Sequence, residues 1–362
     1  MKNQVLLIPG PTYVRPQTLR AQTGTLIGHR GQEYRNLHRR IVEQLRFFLN
    51  TKADIFILPS SASGCMEAAI RNGVKQNVLC LVNGAFSERW AEIAAMNGKK
   101  VDRLEIPLGK APTPKLLKEK LQSKTYDAVT LVLSETSTGA RAPIEKLAPI
   151  MKKYPKTLFC VDGVSITGGE PINVDEWGID VFLFGTQKAL ALPPGIAFMS
   201  VSEKALEKAQ TIKNRGFYFD FLTLKKAADK QQTPVTPPIT LLYATIHQLD
   251  YILNQETLKK RFLRHAQMAK MVRDWGKNYF SLFTNKNYLV NTLTTFKTPS
   301  NFNTEHFLKI CQNQGFELAN GYGDLKNKTF RIGHMGDHSL ETIKLMITTL
   351  TPLVENSLPQ PL

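Results

Sequence analysis

Cysteine is scarce in this chain of 362 residues, which contains only Cys65, Cys80, Cys160 and Cys311. There is no Cys-X-X-Cys pair and no Cys/His cluster, so neither a structural zinc site nor a disulfide framework is indicated. Long apolar runs are also missing, since none reaches the ~20 residues that span a bilayer. The apolar stretch near the N-terminus is too short for a secretory signal. The sequence therefore predicts a cytoplasmic protein without a membrane segment.

Acidic residues are few, with 30 Asp and Glu against 47 Lys and Arg, which gives a formal net charge of +17. Such an excess can mark a nucleic-acid-binding protein. Here the basic residues are spread along the chain, without a dense basic block or a nucleic-acid motif. We therefore expect an ordinary basic surface and no nucleic-acid partner.

Six short apolar runs alternate with amphipathic segments in the first two thirds of the chain. Because these runs are continuous rather than alternating, they predict strands that are buried on both faces. Amphipathic segments at 66–75, 87–97 and 144–153 predict helices between them. The pattern indicates an α/β fold with a mostly parallel central sheet flanked by helices. The predicted strands are 55–58, 78–82, 128–133, 158–161, 181–184 and 196–201.

The chain is too long for one small core, so its length favours more than one domain. The proline-rich stretch 231–238 predicts a rigid connection. After it come two predicted helices, strand-like runs and a further helix, which together are typical of a smaller α+β domain. We predict an N-terminal arm at 1–20, a large domain at 21–240 and a C-terminal domain at 241–362.

Polar loops follow the first, third, fourth and fifth predicted strands. In parallel sheets, ligands bind at the carboxyl ends of the strands. The loops 59–64 and 134–139, the residue Asp162 and the segment 185–188 are therefore expected to converge on one pocket.

Lys188 and Asp162 are the two residues of this predicted pocket that carry specific chemistry. A desolvated lysine can lose its proton and form a Schiff base with an aldehyde. An aspartate at the end of a neighbouring strand can keep a pyridine nitrogen protonated. Either residue alone is better explained as a loop lysine or a turn-capping aspartate, but the pair together indicates a pyridoxal phosphate (PLP) site.

Three other features suit the same cofactor, and each has a simpler explanation. The segment 61–64 precedes a helix whose N-terminus can bind phosphate, or it is an ordinary N-cap. Phe86 can stack on a flat heterocycle or pack on the core. Arg331 can bind a carboxylate through two hydrogen bonds, or it is an exposed arginine in a strand.

The order and spacing of many short motifs make the chain similar to the class V, fold-type I, PLP-dependent aminotransferases. The resemblance is to the alanine–glyoxylate / serine–pyruvate (serine–glyoxylate) group, and it covers nearly the whole chain. The matching segments are 9–11, 29–30, 61–63, 66–69, 83–86, 89–90, 135–139, 161–162, 177–180, 187–189, 193–195, 233–237 and 331–333.

The resemblance implies a role for Lys188 as the Schiff-base lysine and proton shuttle, and for Asp162 as the partner of the ring nitrogen. It implies that Thr236 reaches the phosphate of a neighbouring subunit in a homodimer with shared active sites. It implies that Arg331 binds the substrate α-carboxylate. The other implied cofactor contacts are Ser61, Ala62 and Ser63 at the phosphate, Phe86 and Thr136 at the ring, and Gln187.

The expected activity is transamination of a small amino acid, alanine or serine, with glyoxylate or pyruvate in two ping-pong half reactions. No second arginine for a dicarboxylic substrate is evident in the sequence. One alternative is a cysteine desulfurase or lyase, which needs a reactive cysteine near the site, and only Cys311 lies outside the large-domain elements. The other alternative is a non-catalytic relative that serves as a subunit of a complex.

Overall fold

A computed structural model describes residues 4–357 of the chain. Its strands are Val5–Leu6 (β1), Asp54–Leu58 (β2), Asn77–Val82 (β3), Lys100–Glu105 (β4), Ala128–Val132 (β5), Ser134–Glu135 (β6), Ala140–Arg141 (β7), Leu158–Asp162 (β8), Val181–Gly185 (β9), Ala197–Val201 (β10), Ser281–Leu282 (β11), Leu293–Lys297 (β12), Phe316–Glu317 (β13), Ala319–Asn320 (β14) and Thr329–Gly333 (β15).

Helices separate most of these strands. They are Pro16–Arg20 (α1), Gln32–Leu49 (α2), Ala62–Gly73 (α3), Ala85–Met96 (α4), Pro114–Ser123 (α5), Ile144–Met151 (α6), Glu203–Gln210 (α7), Phe221–Ala228 (α8), Ile239–Asp250 (α9), Leu258–Gly276 (α10), Thr304–Asn313 (α11) and Leu340–Ser357 (α12). A π-helix at Tyr251–Glu256 continues α9. Within residues 4–357, no helix combines the length and the apolar character that crossing a bilayer requires.

The large sheet has seven strands in the order β2-β10-β9-β8-β5-β3-β4. Strand β10 is antiparallel to both of its neighbours, and the other pairings are parallel. The prediction of a mostly parallel α/β sheet is confirmed, and all six predicted strands belong to it. The seventh, β4, was not predicted because it lies at the sheet edge and only Leu104 among its residues is buried.

Alternate residues of the large sheet enter two separate hydrophobic clusters on its two faces. In β8, Phe159 and Val161 belong to one cluster, while Leu158 and Cys160 belong to the other. Each face is thus covered, as the continuous apolar runs predicted. Covering both faces leaves the carboxyl-end edge as the place where polar side chains from several strands can meet.

The small sheet has four antiparallel strands in the order β11-β12-β15-β14. A third hydrophobic cluster joins this sheet to α10, α11 and α12, with Phe280, Phe296, Phe307 and Phe330 packed against one another. Strand β1 pairs in parallel with β13, so the N-terminal segment belongs to this part of the molecule.

The domain boundaries at residues 20 and 240 stay predictions. The first three residues of the predicted arm and the last five of the predicted C-terminal domain lie outside the described residues.

Candidate active site

A cavity of about 250 Å³ opens at the carboxyl ends of the large-sheet strands. The four loops expected to converge all contribute to its wall. Every predicted cofactor residue except Thr236 lines it. The full lining is Ser61, Ala62, Ser63, Met66, Phe86, Arg89, Val132, Ser134, Thr136, Asp162, Val164, Ser165, Gln187 and Lys188.

Lys188 follows β9 and points its amine at the N-terminal segment, where Nζ donates a hydrogen bond to the carbonyl of Pro9. Burial, with a smaller contribution from the nearby Arg331 guanidinium, lowers the pKa of Lys188 to about 8, against the opposing effect of Asp162. Gly10 has φ +90°, and a Cβ there would lie 2.5 Å from Lys188 Cδ. The lysine side chain can therefore pass this turn only because residue 10 has no side chain.

Asp162 is the last residue of β8 and is 3% exposed. Its Oδ1 accepts a 2.7 Å hydrogen bond from the N–H of Val164. Burial, with a smaller contribution from the Glu135 carboxylate, nevertheless raises the pKa of Asp162 to about 7. A cationic group placed against Asp162, such as a protonated ring nitrogen, would stabilise its ionised form.

The start of α3 forms a place for an anion. Ser61 is the N-cap residue, and its side chain makes no capping hydrogen bond. The first N–H groups of a helix have no partner within the helix, and the helix dipole adds positive potential there. Ser61, Ala62 and Ser63 all face the cavity, so these donors are directed at whatever anion enters it.

Glu135 fixes the position of Phe86 at the start of α4. This fully buried carboxylate accepts hydrogen bonds from the N–H groups of Phe86 (3.2 Å) and Ser87 (2.9 Å) and from Ser137 Oγ (2.6 Å). It therefore caps the first turn of α4 and fixes the position from which the Phe86 ring projects. At Gly84 a Cβ would lie 2.5 Å from Glu135 Cγ, so the close approach of the Glu135 side chain to the backbone of residue 84 also requires glycine.

Arg331, on β15 of the small sheet, reaches the wall of the cavity without lining it. Its Nη1 donates to the carbonyl of Thr136 (3.2 Å), while Nε and Nη2 donate to the carbonyl of Asn320 (3.0 and 2.9 Å). Burial lowers the pKa of Arg331 to about 10, against the opposing effects of Tyr322 and Glu135. The guanidinium stays charged at neutral pH and lies next to the ring-side residue Thr136.

Thr236 is the one predicted cofactor residue that does not line the cavity. It is exposed, whereas the preceding Thr233 is buried. Arg30 holds this loop through hydrogen bonds to the carbonyls of Thr233 (2.6 Å) and Pro234 (3.1 Å). The role of Thr236 toward a neighbouring subunit stays a prediction.

Sequence reasoning missed three contributions to the site. The Pro9 carbonyl holds Lys188, Arg89 lines the cavity, and Ser134 presents a buried Oγ without a hydrogen-bond partner there. Pro9 and Arg89 each stand in a matching segment, and Ser134 directly precedes one. Their use depends on contacts between distant parts of the chain, which a motif does not reveal.

The residues present fit PLP. An uncapped helix N-terminus suits the phosphate, an aromatic ring suits the flat heterocycle, and a buried carboxyl suits a ring nitrogen. The unpartnered Ser134 Oγ supplies a polar group that the described residues do not satisfy. In residues 4–357 there is no group of three or more His, Cys, Asp or Glu arranged to hold a metal ion.

The sequence model of the family described as "Aminotransferase class-V" matches residues 17–323. The chain belongs to the class V aminotransferase family. An uncharacterized aminotransferase of Methanocaldococcus jannaschii is 39% identical, over 92% of this chain and 88% of that protein. A soluble hydrogenase 42 kDa subunit of Anabaena cylindrica is 33% identical (96% and 92%). A serine–glyoxylate aminotransferase of Methylorubrum extorquens is 31% identical (92% and 86%).

Solved structures of aminotransferases have the same fold. An alanine–glyoxylate aminotransferase from Nostoc sp. superposes with a TM-score of 0.90 at 30% identity, covering 99% of this chain and 96% of that one. A Thermus thermophilus aspartate aminotransferase of subgroup IV gives a TM-score of 0.90 at 29% identity, with 98% and 99% covered. The prediction of a fold-type I aminotransferase of this group is confirmed, and the family implies the use of PLP.

Proposed function

We propose that this protein transfers the amino group of a small amino acid, alanine or serine, to glyoxylate or pyruvate with PLP as cofactor. The observation that carries the proposal is the meeting of a buried lysine and a buried aspartate in one cavity, with their pKa values displaced toward each other. The lysine pKa is near 8 and the aspartate pKa near 7. Such displaced values are typical of catalytic groups.

Bound PLP supplies an aldehyde for an amine and a conjugated ring that accepts the electrons of a broken Cα–H bond. The protein provides the rest. The Lys188 amine would hold the cofactor aldehyde and, once the substrate amine has released it, Nζ would accept the proton from the substrate Cα and give it back during the transfer. The Asp162 carboxylate would hold the proton of the ring nitrogen, and the ring of Phe86 would exclude water from one face of the cofactor.

The charge of the site supports a small substrate with one carboxylate. Arg331 offers a charged donor for one carboxylate beside Thr136. Relatives that act with glyoxylate support the acceptor, among them the serine–glyoxylate and alanine–glyoxylate enzymes described above.

We also propose a homodimer with shared sites. Thr236 is exposed, and Phe217 and Tyr218 expose 80% and 40% of their surface near the phosphate loop. Tyr218 Oη donates to the carbonyl of Pro59 at the start of that loop (3.3 Å). A second subunit that covers these aromatic residues would lie beside the phosphate loop, where the family resemblance expects a contact from Thr236 of the neighbouring subunit. Light scattering tests the dimer, and a monomer that binds PLP fully would contradict it.

The test of the activity starts with PLP uptake, followed by the visible absorption of the bound cofactor. Alanine, serine and aspartate are then offered singly, and glyoxylate or pyruvate afterwards, so that each half reaction is observed alone. We expect alanine or serine to change the spectrum and glyoxylate or pyruvate to restore it. Lys188→Ala is expected to abolish both changes. A protein that takes up PLP and reacts with no amino acid would contradict the proposal.

One relative favours a second candidate function, that of a subunit in a larger complex, because it is named as a soluble hydrogenase subunit. A colourless protein that cannot take up PLP would favour this candidate. The desulfurase alternative finds no support, since all four cysteines are buried and burial raises the pKa of Cys311 to about 12. Sulfide release from cysteine would revive it.

A further inference from the structure

None of the residues predicted to contact the cofactor phosphate carries a positive charge. Ser61, Ala62, Ser63 and Gln187 offer only neutral donors. A phosphate monoester carries roughly −1.5 to −2 charges at neutral pH, and a helix N-terminus counts as about +0.5. A mostly enclosed site that holds such an anion on neutral groups alone leaves much of its charge unbalanced.

Arg89 is a cation in contact with the predicted phosphate site. It lies one turn into α4, lines the cavity, and its Nη1 donates to Ser63 Oγ at 3.3 Å. Its guanidinium carbon lies 4.9 Å from the centre of the Phe86 ring, so the aromatic face supports the planar group. Ser63 belongs to the first turn of α3, which puts Arg89 beside the same N–H groups that face the cavity.

The N–H donors of the Arg89 guanidinium have no carboxylate partner among the described residues. Among the residues described, no carboxylate lies within salt-bridge distance of its guanidinium, whereas neighbouring arginines are paired. Arg71 pairs with Glu67 (3.3 Å), and Arg103 pairs with Glu88 and with Glu105 (3.0 Å). An arginine that faces a cavity and has a serine hydroxyl as its polar contact can give a bidentate fork to an anion.

The other two cations near the cavity are engaged elsewhere. Lys188 bonds to the Pro9 carbonyl and is needed at the aldehyde, and Arg331 bonds to the carbonyls of Thr136 and Asn320. We propose that Arg89 is the charged ligand of the cofactor phosphate, held in place by the face of Phe86. This inference rests on the proposed use of PLP and adds to it a residue that the motifs do not assign.

The test compares PLP with pyridoxal, which has the same ring and aldehyde but no phosphate. Binding of each to the cofactor-free protein is followed by absorbance titration for wild type, Arg89→Gln and Arg89→Lys. We expect Arg89→Gln to weaken PLP binding by about 10- to 100-fold, the usual effect of a lost charge-assisted hydrogen bond, and to leave pyridoxal binding within about threefold. Arg89→Lys should retain part of the PLP affinity, because it keeps the charge and loses the fork.

Arg103→Gln is the matched control, because it removes one surface-paired positive charge outside the cavity and should leave both affinities unchanged. Unchanged pyridoxal binding also shows that Arg89→Gln is folded. Equal weakening of PLP and pyridoxal, no weakening of either, or an effect confined to the KM of an acidic amino donor would overturn the assignment. Failure of the wild type to bind PLP would overturn the proposed function itself. This outcome differs from failure of the Arg89 assignment, in which the wild type still binds PLP.

Discussion

Arg261 donates a 2.7 Å hydrogen bond from Nη2 to the carbonyl of Ala189, the residue that follows Lys188. The arginine is fully buried, and its Nη1 also donates to Glu256 (2.7 Å) and Asp337 (2.8 Å). Gln248 adds a hydrogen bond to the carbonyl of Leu190 (3.0 Å). The loop that carries the lysine is therefore held from behind by a buried ionic network.

We expect Arg261→Met to destabilise the protein by about 3 kcal/mol, the lower end of the cost of breaking a buried ion pair. The variant loses the cation between two buried carboxylates, while Arg15 still pairs with Asp337 (2.9 Å) and Arg264 with Glu256 (2.7 Å). Urea unfolding measures the loss. Arg40→Met serves as the control, since Arg40 is 56% exposed in its pair with Asp250 (3.1 Å) and should cost less than about 1 kcal/mol. A loss in Arg261→Met no larger than in the control would show that the network does not stabilise this loop.

The stability of the cofactor-free protein should depend on pH in an unusual way. The pKa of Asp162 is about 7 in the fold against 3.8 ordinarily, so the contribution of this group to stability falls as the pH rises from about 4 to 7. The pKa of Lys188 is about 8 against 10.5, so the unfolded chain binds its proton more tightly and the contribution of this group rises between about 8 and 10.5. Each contribution is on the order of 4 kcal/mol. The sum of the two contributions has a minimum between about pH 7 and 8.

Urea unfolding of the cofactor-free protein from pH 5 to 10 tests this profile against the double variant Asp162→Asn, Lys188→Met. We expect the double variant to be more stable than wild type near pH 7.5 and to lack the minimum. An unchanged profile would show that these two groups do not titrate as their surroundings indicate.

Arg331→Gln is expected to raise the KM for alanine by about 100-fold, because the substrate carboxylate loses its charged partner. An amine without a carboxylate should react with the bound cofactor equally slowly in both proteins. Steady-state kinetics with alanine and single-turnover spectra with the simple amine separate the two effects. Equal losses for both substrates would argue that Arg331 shapes the site without binding the carboxylate.

Gly10→Ala should impair the placement of Lys188, because the added Cβ would lie 2.5 Å from Lys188 Cδ at a φ of +90°. Gly98→Ala is a matched control, since Gly98 has φ +69° and no atom within 4 Å of an added Cβ. Both variants carry the strain of a left-handed residue, which costs roughly 1–2 kcal/mol. Only Gly10→Ala should slow PLP uptake, and equal uptake by the two variants would contradict the contact.

The sequence predicted six strands, the five inner ones and the edge strand β2, because each is largely apolar. It could not predict β4, whose Lys100, Asp102 and Arg103 suit an exposed sheet edge. It did not specify which strand is antiparallel either, since β10 is as apolar as its neighbours. In the site, the residues after strands β2, β5, β8 and β9 converge as the α/β pattern predicts.

The contacts that position those residues could not be predicted from the sequence. The carbonyl of Pro9 belongs to a segment 179 positions before Lys188, and Arg261 meets Ala189 across 72 positions. Such contacts follow from the packing of the small sheet and α10 against the large sheet. Local periodicity contains no information about them.

Arg331 lies on the small sheet and donates a hydrogen bond to the carbonyl of Thr136, in the loop that follows the large-sheet strand β5 and the short strand β6. A substrate carboxylate bound at Arg331 would therefore lie where the small sheet meets a loop at the carboxyl end of the large sheet. If ligand binding stabilises one arrangement of the two sheets, that arrangement strengthens ligand binding by the same free energy. A short carboxylic acid without an amine would then stabilise the contact between the small sheet and the carboxyl end of the large sheet. Its affinity would report how closely these two parts pack together.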